Sequence, residues 1–96
     1  MEGKYKMKEN TNLCEKISKI IPKSLDEVYR TSEKLEDIGI NAKFLNRSSI
    51  YPHTYYYYLL SKRTVLYLYF KDDKLKYLSI YKETPEKVII CEKEIS

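Results

Sequence analysis

The residues able to do chemistry are few and far apart. The sequence holds one histidine, His53, and two cysteines, Cys14 and Cys91. The cysteines are too widely separated for a CxxC redox pair, and two of them cannot build a four-cysteine zinc site in one chain. Two readings stay open for them. Either both are buried thiols acting as small hydrophobes, or they form a disulfide tying the first helix to the last strand. Intracellular disulfides are ordinarily rare, with hyperthermophiles the exception. Closing so long a loop would stabilise by about 4 kcal/mol in the chain-entropy model.

His53 ends a polar stretch that also contains Arg47, Ser48, Ser49 and Tyr51. Residues 47–54 read as a loop after a strand, fixed in part by Pro52, and loops on rigid scaffolds carry function more often than cores do. No Asp or Glu shares this loop, which argues against general acid–base work by His53. A lone histidine cannot build a metal site. The stretch is an ordinary solvated loop or a partner contact made by Arg47, Tyr51 and His53. Glu36-Asp37 and Asp72-Asp73 read as charged surface, and two glycines, Gly3 and Gly39, are too few for a phosphate-cradling loop. No catalytic residue, metal ligand or cofactor is expected, and the chain reads as a non-enzyme.

The elements that must position these side chains follow from periodicity. Residues 1–10 read as a flexible basic arm, and residues 11–96 as a single α+β domain. Thr11 or Asn12 can cap a short helix carrying Leu13, Ile17, Ile20 and Ile21, ended by Pro22. Ser24 and Glu27 form a capping-box pattern ahead of a second helix, whose stripe is Leu25, Val28, Leu35 and Ile38, with Gly39 ending it. The period then changes to two. Residues 40–46 form a first strand, followed by strands over 55–61, 64–71, 74–82 and 87–92, with corners at Lys62-Arg63 and Asp72-Asp73. The expected fold is α+β, with two short N-terminal helices packed on one face of a four- to five-stranded antiparallel β-meander.

Eight of the eleven tyrosines fall in those strands. Counting outward from the two corners puts Tyr55, Tyr57, Leu66, Leu68, Phe70, Leu75 and Tyr77 on one face. Tyr56, Tyr58, Val65, Tyr67, Tyr69, Leu78 and Ile80 fall on the other. The first face suits the helices. The second would normally be polar but is not. Tyrosine pairs an apolar ring with a hydroxyl that tolerates water, so Tyr56, Tyr58, Tyr67 and Tyr69 are the candidate contact residues. Burial within the same chain is one use for them. A homodimer through this sheet is preferred, because two short helices can hardly cover both faces. The alternative is nucleic-acid stacking, supported by Lys62, Arg63, Lys71, Lys74 and Lys76. A one-residue slip at Lys62-Arg63 would exchange the roles within Tyr55–Tyr58.

The formal charge is +4. It is concentrated in residues 40–82, where eight basic residues face two acidic ones, whereas residues 24–39 carry two basic and five acidic. This mildly favours an anionic partner, although the acidic second helix would repel phosphate. With 43% apolar and 33% charged residues, the chain is neither disordered nor membrane-spanning in type. No apolar run nears the roughly 20 residues of a membrane span, and no apolar signal core follows the charged N-terminus. A cytoplasmic protein is expected.

The run Tyr55–Tyr58, the absence of Gln and the Lys/Glu-rich surface resemble the composition of small proteins encoded by viruses and plasmids of hyperthermophilic archaea. The resemblance covers the whole chain and assigns no residue a role. It implies a DNA-binding regulator, a virion component or an inhibitor of host defence. The expected function is a homodimeric, non-enzymatic interaction protein that binds a host or viral macromolecule, protein rather than nucleic acid, through its tyrosine-rich face.

Overall fold

The computed structural model describes residues 13–95. The expected arm over residues 1–10 and the helix cap at Thr11 or Asn12 lie outside the described residues. Residues 13–20 are helical (α1). The three- and four-residue spacing of Cys14, Ile17 and Ile21 places them on one stripe, and all three are buried. Pro22 lacks the N–H that a further turn would need.

The chain next docks onto the sheet by its backbone. Leu25 N–H donates to the Asp73 carbonyl at 2.8 Å and Leu75 N–H to the Lys23 carbonyl at 2.8 Å, so Ser24 forms an isolated bridge with Lys74. The expected capping box does not form, and Glu27 N–H donates to the Ser24 carbonyl instead. Ser24 holds the N-cap position, but its side chain makes no cap hydrogen bond. The segment Leu25–Arg30 winds as a 3-10 helix, and only Thr31–Asp37 (α2) is α-helical. The end of α2 agrees with the sequence. Gly39 adopts φ 85°, its N–H donates to Glu36 O, and Ile40 N–H donates to Leu35 O. That pair of bonds satisfies the last carbonyls through a left-handed residue, which glycine adopts without steric cost.

Five strands complete the chain: β1 (Lys43–Ile50), β2 (His53–Ser61), β3 (Thr64–Lys71), β4 (Lys74–Lys82) and β5 (Val88–Glu94). They pair in sequence order, each antiparallel to the next. Both expected corners are turns, and Asp72 takes φ 58°, a left-handed conformation that Asp tolerates better than most residues. The expected loop over 47–54 is largely absent. Arg47, Ser48 and Ser49 stand opposite Tyr56, Tyr55 and Thr54, so β1 runs to Ile50. The turn has shrunk to Tyr51-Pro52, joined by a cis peptide bond. The last strand likewise begins one residue later and ends two residues further on than expected.

The register departs from the corner count in two places. Ser61 faces Thr64 as that count requires, but Leu59 faces Val65, leaving Leu60 as an extra residue. Phe70 faces Leu75, but Tyr69 faces Tyr77, leaving Lys76 extra. Each is a bulge, and beyond each one the facing of the strand is reversed relative to a regular hairpin. Leu66, Leu68, Phe70, Leu75, Leu78 and Ile80 therefore join Tyr58 and Cys91 on one side. The buried cluster also takes in Ile17, Ile21, Val28 and Leu35 from the helical segments.

Cys14 and Cys91 are joined by a disulfide across 77 positions. The Lys93 ammonium reaches Glu15 Oε2 at 2.7 Å along the same α1–β5 seam. Its hydrogen bond and charge hold the Glu15 carboxyl below its ordinary range. Because the crosslink closes most of the chain, Cys91→Ser should lower the unfolding free energy by about 4 kcal/mol. Denaturant unfolding with and without dithiothreitol checks this. The reductant should lower the wild-type midpoint and leave that of the variant unmoved.

Candidate functional site

The sheet face opposite the buried cluster is built of tyrosine. Tyr55 and Tyr57 come from β2, Tyr67 and Tyr69 from β3, and Tyr77 and Tyr81 from β4. The register sets Tyr55 against Tyr69, Tyr57 against Tyr67 and Tyr69 against Tyr77, and such cross-strand pairs are the units that stabilise a sheet. The Tyr55 ring stacks on Tyr69 at 5.3 Å between centroids, while Tyr67 lies 5.3 Å from Tyr57, 5.9 Å from Tyr55 and 6.0 Å from Tyr77. These separations fall within the attractive range for aromatic pairs. His53 extends the array: its ring stacks on Tyr69, and Nδ1 lies 2.7 Å from the Tyr69 hydroxyl.

The expected contact residues divide between the two sides of the sheet. Tyr67, Tyr69 and His53 do share the tyrosine face. Tyr56 and Tyr58 do not. The Leu60 bulge turns both toward the core, where Tyr58 is only 4% exposed and Tyr56 meets Phe70 edge-on. The expectation that these two form part of the second face is therefore wrong, and Tyr55 and Tyr57 replace them. Arg47 goes with the first side as well, its Nε donating to the Tyr56 hydroxyl at 3.1 Å. Tyr51 projects from the β1–β2 turn at 86% exposure, so Arg47, Tyr51 and His53 do not converge.

Toward β5 the face sinks into a depression of about 260 Å³ lined by Tyr57, Tyr67, Tyr77, Ser79, Tyr81, Lys87 and Ile89. Lys87 lies in the β4–β5 connection at φ 50°, and its Nζ sits 4.6 Å from the Tyr81 ring centroid, within cation–π range. The Tyr77 hydroxyl donates to Glu92 Oε1. Burial, then the hydrogen bond and charge of Glu92, raise the Tyr77 phenol above its ordinary value. Burial and the neighbouring Glu83 do the same for Tyr81. Tyr67 is pushed up to about 12, first by burial and then by the tyrosines around it. None of Tyr55, Tyr57, Tyr77, Tyr81 or Lys87 was picked out by sequence as part of this face. The alternations Tyr67-Leu68-Tyr69 and Tyr77-Leu78-Ser79-Ile80-Tyr81 carried the signal, but only the bulges align them.

The basic residues of the nucleic-acid alternative are split. Lys62 and Arg63 occupy the β2–β3 turn, while Lys71, Lys74 and Lys76 surround the β3–β4 turn at the other end of the strands. There Lys74 and Lys76, with Lys23, Ser24, Leu75 and Ile95, line a groove of about 490 Å³. Burial lowers the Lys23 pKa.

The chain matches no protein-family model, and no curated protein or solved structure is similar to it. Among the described residues no helix is long and apolar enough to cross a membrane, and no three His, Cys, Asp or Glu side chains group as metal ligands.

The raised Tyr67 pKa has a consequence for stability. A phenol held neutral in the fold stabilises it at pH below the ordinary value of about 10, and this contribution is lost as pH climbs from about 10 toward 12. An ultraviolet titration should show a tyrosine ionising near 12 that disappears in Tyr67→Phe. The denaturation midpoint of that variant should fall less steeply than that of the wild type over the same interval.

Proposed function

We propose that this chain is a non-enzymatic interaction protein, a cytoplasmic homodimer that binds a host or viral macromolecule through its tyrosine-bearing sheet face. Inhibition of a host defence is one such role. The observation that carries the reading is the second face itself. Six tyrosines and a histidine lie side by side there, and among the described residues the helical segments are buried with the opposite face only. Tyrosine-rich surfaces with few charges at their centre suit protein contacts, because the ring gains from burial while the hydroxyl finds a partner in either state. The small proteins of hyperthermophilic archaeal viruses and plasmids, which the chain resembles in composition, fit this role.

The second copy adds at β1. All eight residues of that strand are exposed, and among the described residues nothing pairs with its outer edge. Leu45 and Ile50 are 46% and 76% exposed. A long uncovered edge strand of this kind templates pairing with another chain, and an antiparallel pair across a two-fold axis is the simplest closed form. Light scattering should give twice the monomer mass, and Leu45→Lys with Ile50→Lys should return the monomer, since lysines on an edge oppose such pairing. A wild type that stays monomeric at high concentration would remove the dimer.

A second reading is favoured by the lysine-lined groove at the β3–β4 end. A single-strand nucleic-acid binder using Lys71, Lys74 and Lys76 would show an affinity that falls steeply with salt and is lost in Lys74→Glu. Fluorescence anisotropy with a labelled oligonucleotide checks it, and no binding at low ionic strength dismisses it.

A further inference from the structure

The depression at the β4–β5 side of the tyrosine face has the chemistry of a cation receptor. The rings of Tyr57, Tyr67, Tyr77 and Tyr81 surround it, and the face of an aromatic ring attracts a cation through its quadrupole. Carboxylates sharpen that preference. Glu92 accepts the hydrogen bond of the Tyr77 hydroxyl, which feeds electron density into that ring. Glu94 stands opposite Tyr77 and Glu92 opposite Ser79, and Glu83 acts on the Tyr81 hydroxyl. Against these three carboxylates the lining contains one cation, Lys87, and its ammonium already rests over the Tyr81 ring at 4.6 Å. The cradle thus holds a tethered alkylammonium of its own. The Lys87 side chain is exposed, so nothing locks it there, and the φ 50° that places it belongs to a region disfavoured for residues other than glycine.

We propose that this cradle receives an alkylammonium group, the lysine side chain of a bound protein, and that Lys87 is the internal cation it displaces. The inference rests on the tyrosine face being the contact surface and names what that surface recognises. Anions are disfavoured there by the carboxylates and by the negative faces of the rings.

The test uses the full chain and small probes. Tetramethylammonium chloride and n-butylammonium chloride are titrated in while the tyrosine ring signals are followed by NMR, with tert-butanol as a neutral probe of similar shape and sodium chloride as the ionic-strength control. Both ammonium ions should shift the rings of Tyr57, Tyr67, Tyr77 and Tyr81 and leave those of Tyr29 and Tyr51 unmoved. Lys87→Ala removes the competitor and should bind tetramethylammonium about five-fold more tightly, the factor expected for loss of one cation–π contact. Equal shifts with tert-butanol, or an unchanged or weakened affinity in Lys87→Ala, would overturn the proposal. Tyr81→Leu should lose the response in any background where the fold is intact by circular dichroism, and retention of full affinity there would overturn it too. Light scattering separates the two levels. A dimer whose rings ignore the ammonium ions defeats the cradle alone, whereas a monomer that binds them defeats the dimer and leaves the cradle standing.

Discussion

Two extra residues, Leu60 in β2 and Lys76 in β4, decide which side of the sheet the tyrosines occupy. Side chains alternate along a strand, so inserting one residue reverses everything beyond it. Without Leu60, Tyr55 and Tyr57 would point into the core and Tyr56 and Tyr58 away from it. Without Lys76, Leu78 and Ile80 would leave the buried cluster and Tyr77 would enter it. The two bulges act together. Because both partners of β3 are bulged, its Leu66, Leu68 and Phe70 meet Tyr58, Leu78 and Ile80 on one side, while Tyr67 and Tyr69 meet Tyr55, Tyr57 and Tyr77 on the other. Leu60 also packs against the core as the extra residue, so the bulge gains apolar burial where it loses a ladder pair.

That arrangement separates two kinds of apolar surface by their tolerance of water. The cluster side is aliphatic, with Phe70 and four leucines or isoleucines of the sheet fully buried, and it excludes polar partners. The opposite side is aromatic and hydroxylated; Tyr55, Tyr57, Tyr67, Tyr69 and Tyr77 are half-buried, while Tyr81, Val65 and Ser79 are buried toward β5. A domain this small buries a modest fraction of its surface, and with one face left to tyrosine it has less core than its length could provide. The Cys14–Cys91 disulfide offsets this by tying α1 to β5, the element pair farthest apart in sequence. Strand β1 shows where the core runs out, since no residue of it is buried.

The order of elements was legible in the sequence because each boundary has a local cause. Pro22 ends a helix, Gly39 ends another, and Lys62-Arg63 and Asp72-Asp73 interrupt runs of alternating residues. The α+β class and the antiparallel meander came from these. The features that stayed hidden were decided by contacts between distant segments. The capping box at Ser24 and Glu27 is sound locally, yet Glu27 N–H donates to the Ser24 carbonyl rather than to its side chain, and the flanking Leu25 N–H and Lys23 carbonyl bond to Asp73 and Leu75 across the fold. Ser48 and Ser49 have turn-like composition, yet the pairing with Tyr55 and Thr54 holds them extended. The bulges carry no local mark at all. Leu60 and Lys76 look like ordinary strand residues, and neither is a glycine. The tyrosine set was therefore recognisable as a class of surface, while its membership was not.

Charge is governed by distant contacts in the same way. The chain is +4 overall and most strongly basic over residues 40–82, which points toward an anionic partner. Yet at physiological ionic strength a charge is screened within about 8 Å, so a site responds to its own neighbours rather than to the total. Around the depression those neighbours are Lys87, which lies over Tyr81, and Glu83, Glu92 and Glu94 from the β4–β5 side, brought beside Tyr77 and Tyr81 by the last hairpin. Five of the eight basic residues over 40–82, Lys62, Arg63, Lys71, Lys74 and Lys76, lie at the β2–β3 and β3–β4 turns. The depression lies between these two ends, with Tyr77 next to Lys76 and with the Glu83 N–H donating to the Arg63 carbonyl. The total charge and the local one therefore differ in sign at the depression, because the last hairpin brings three carboxylates to its edge while the basic turns lie at the two strand ends.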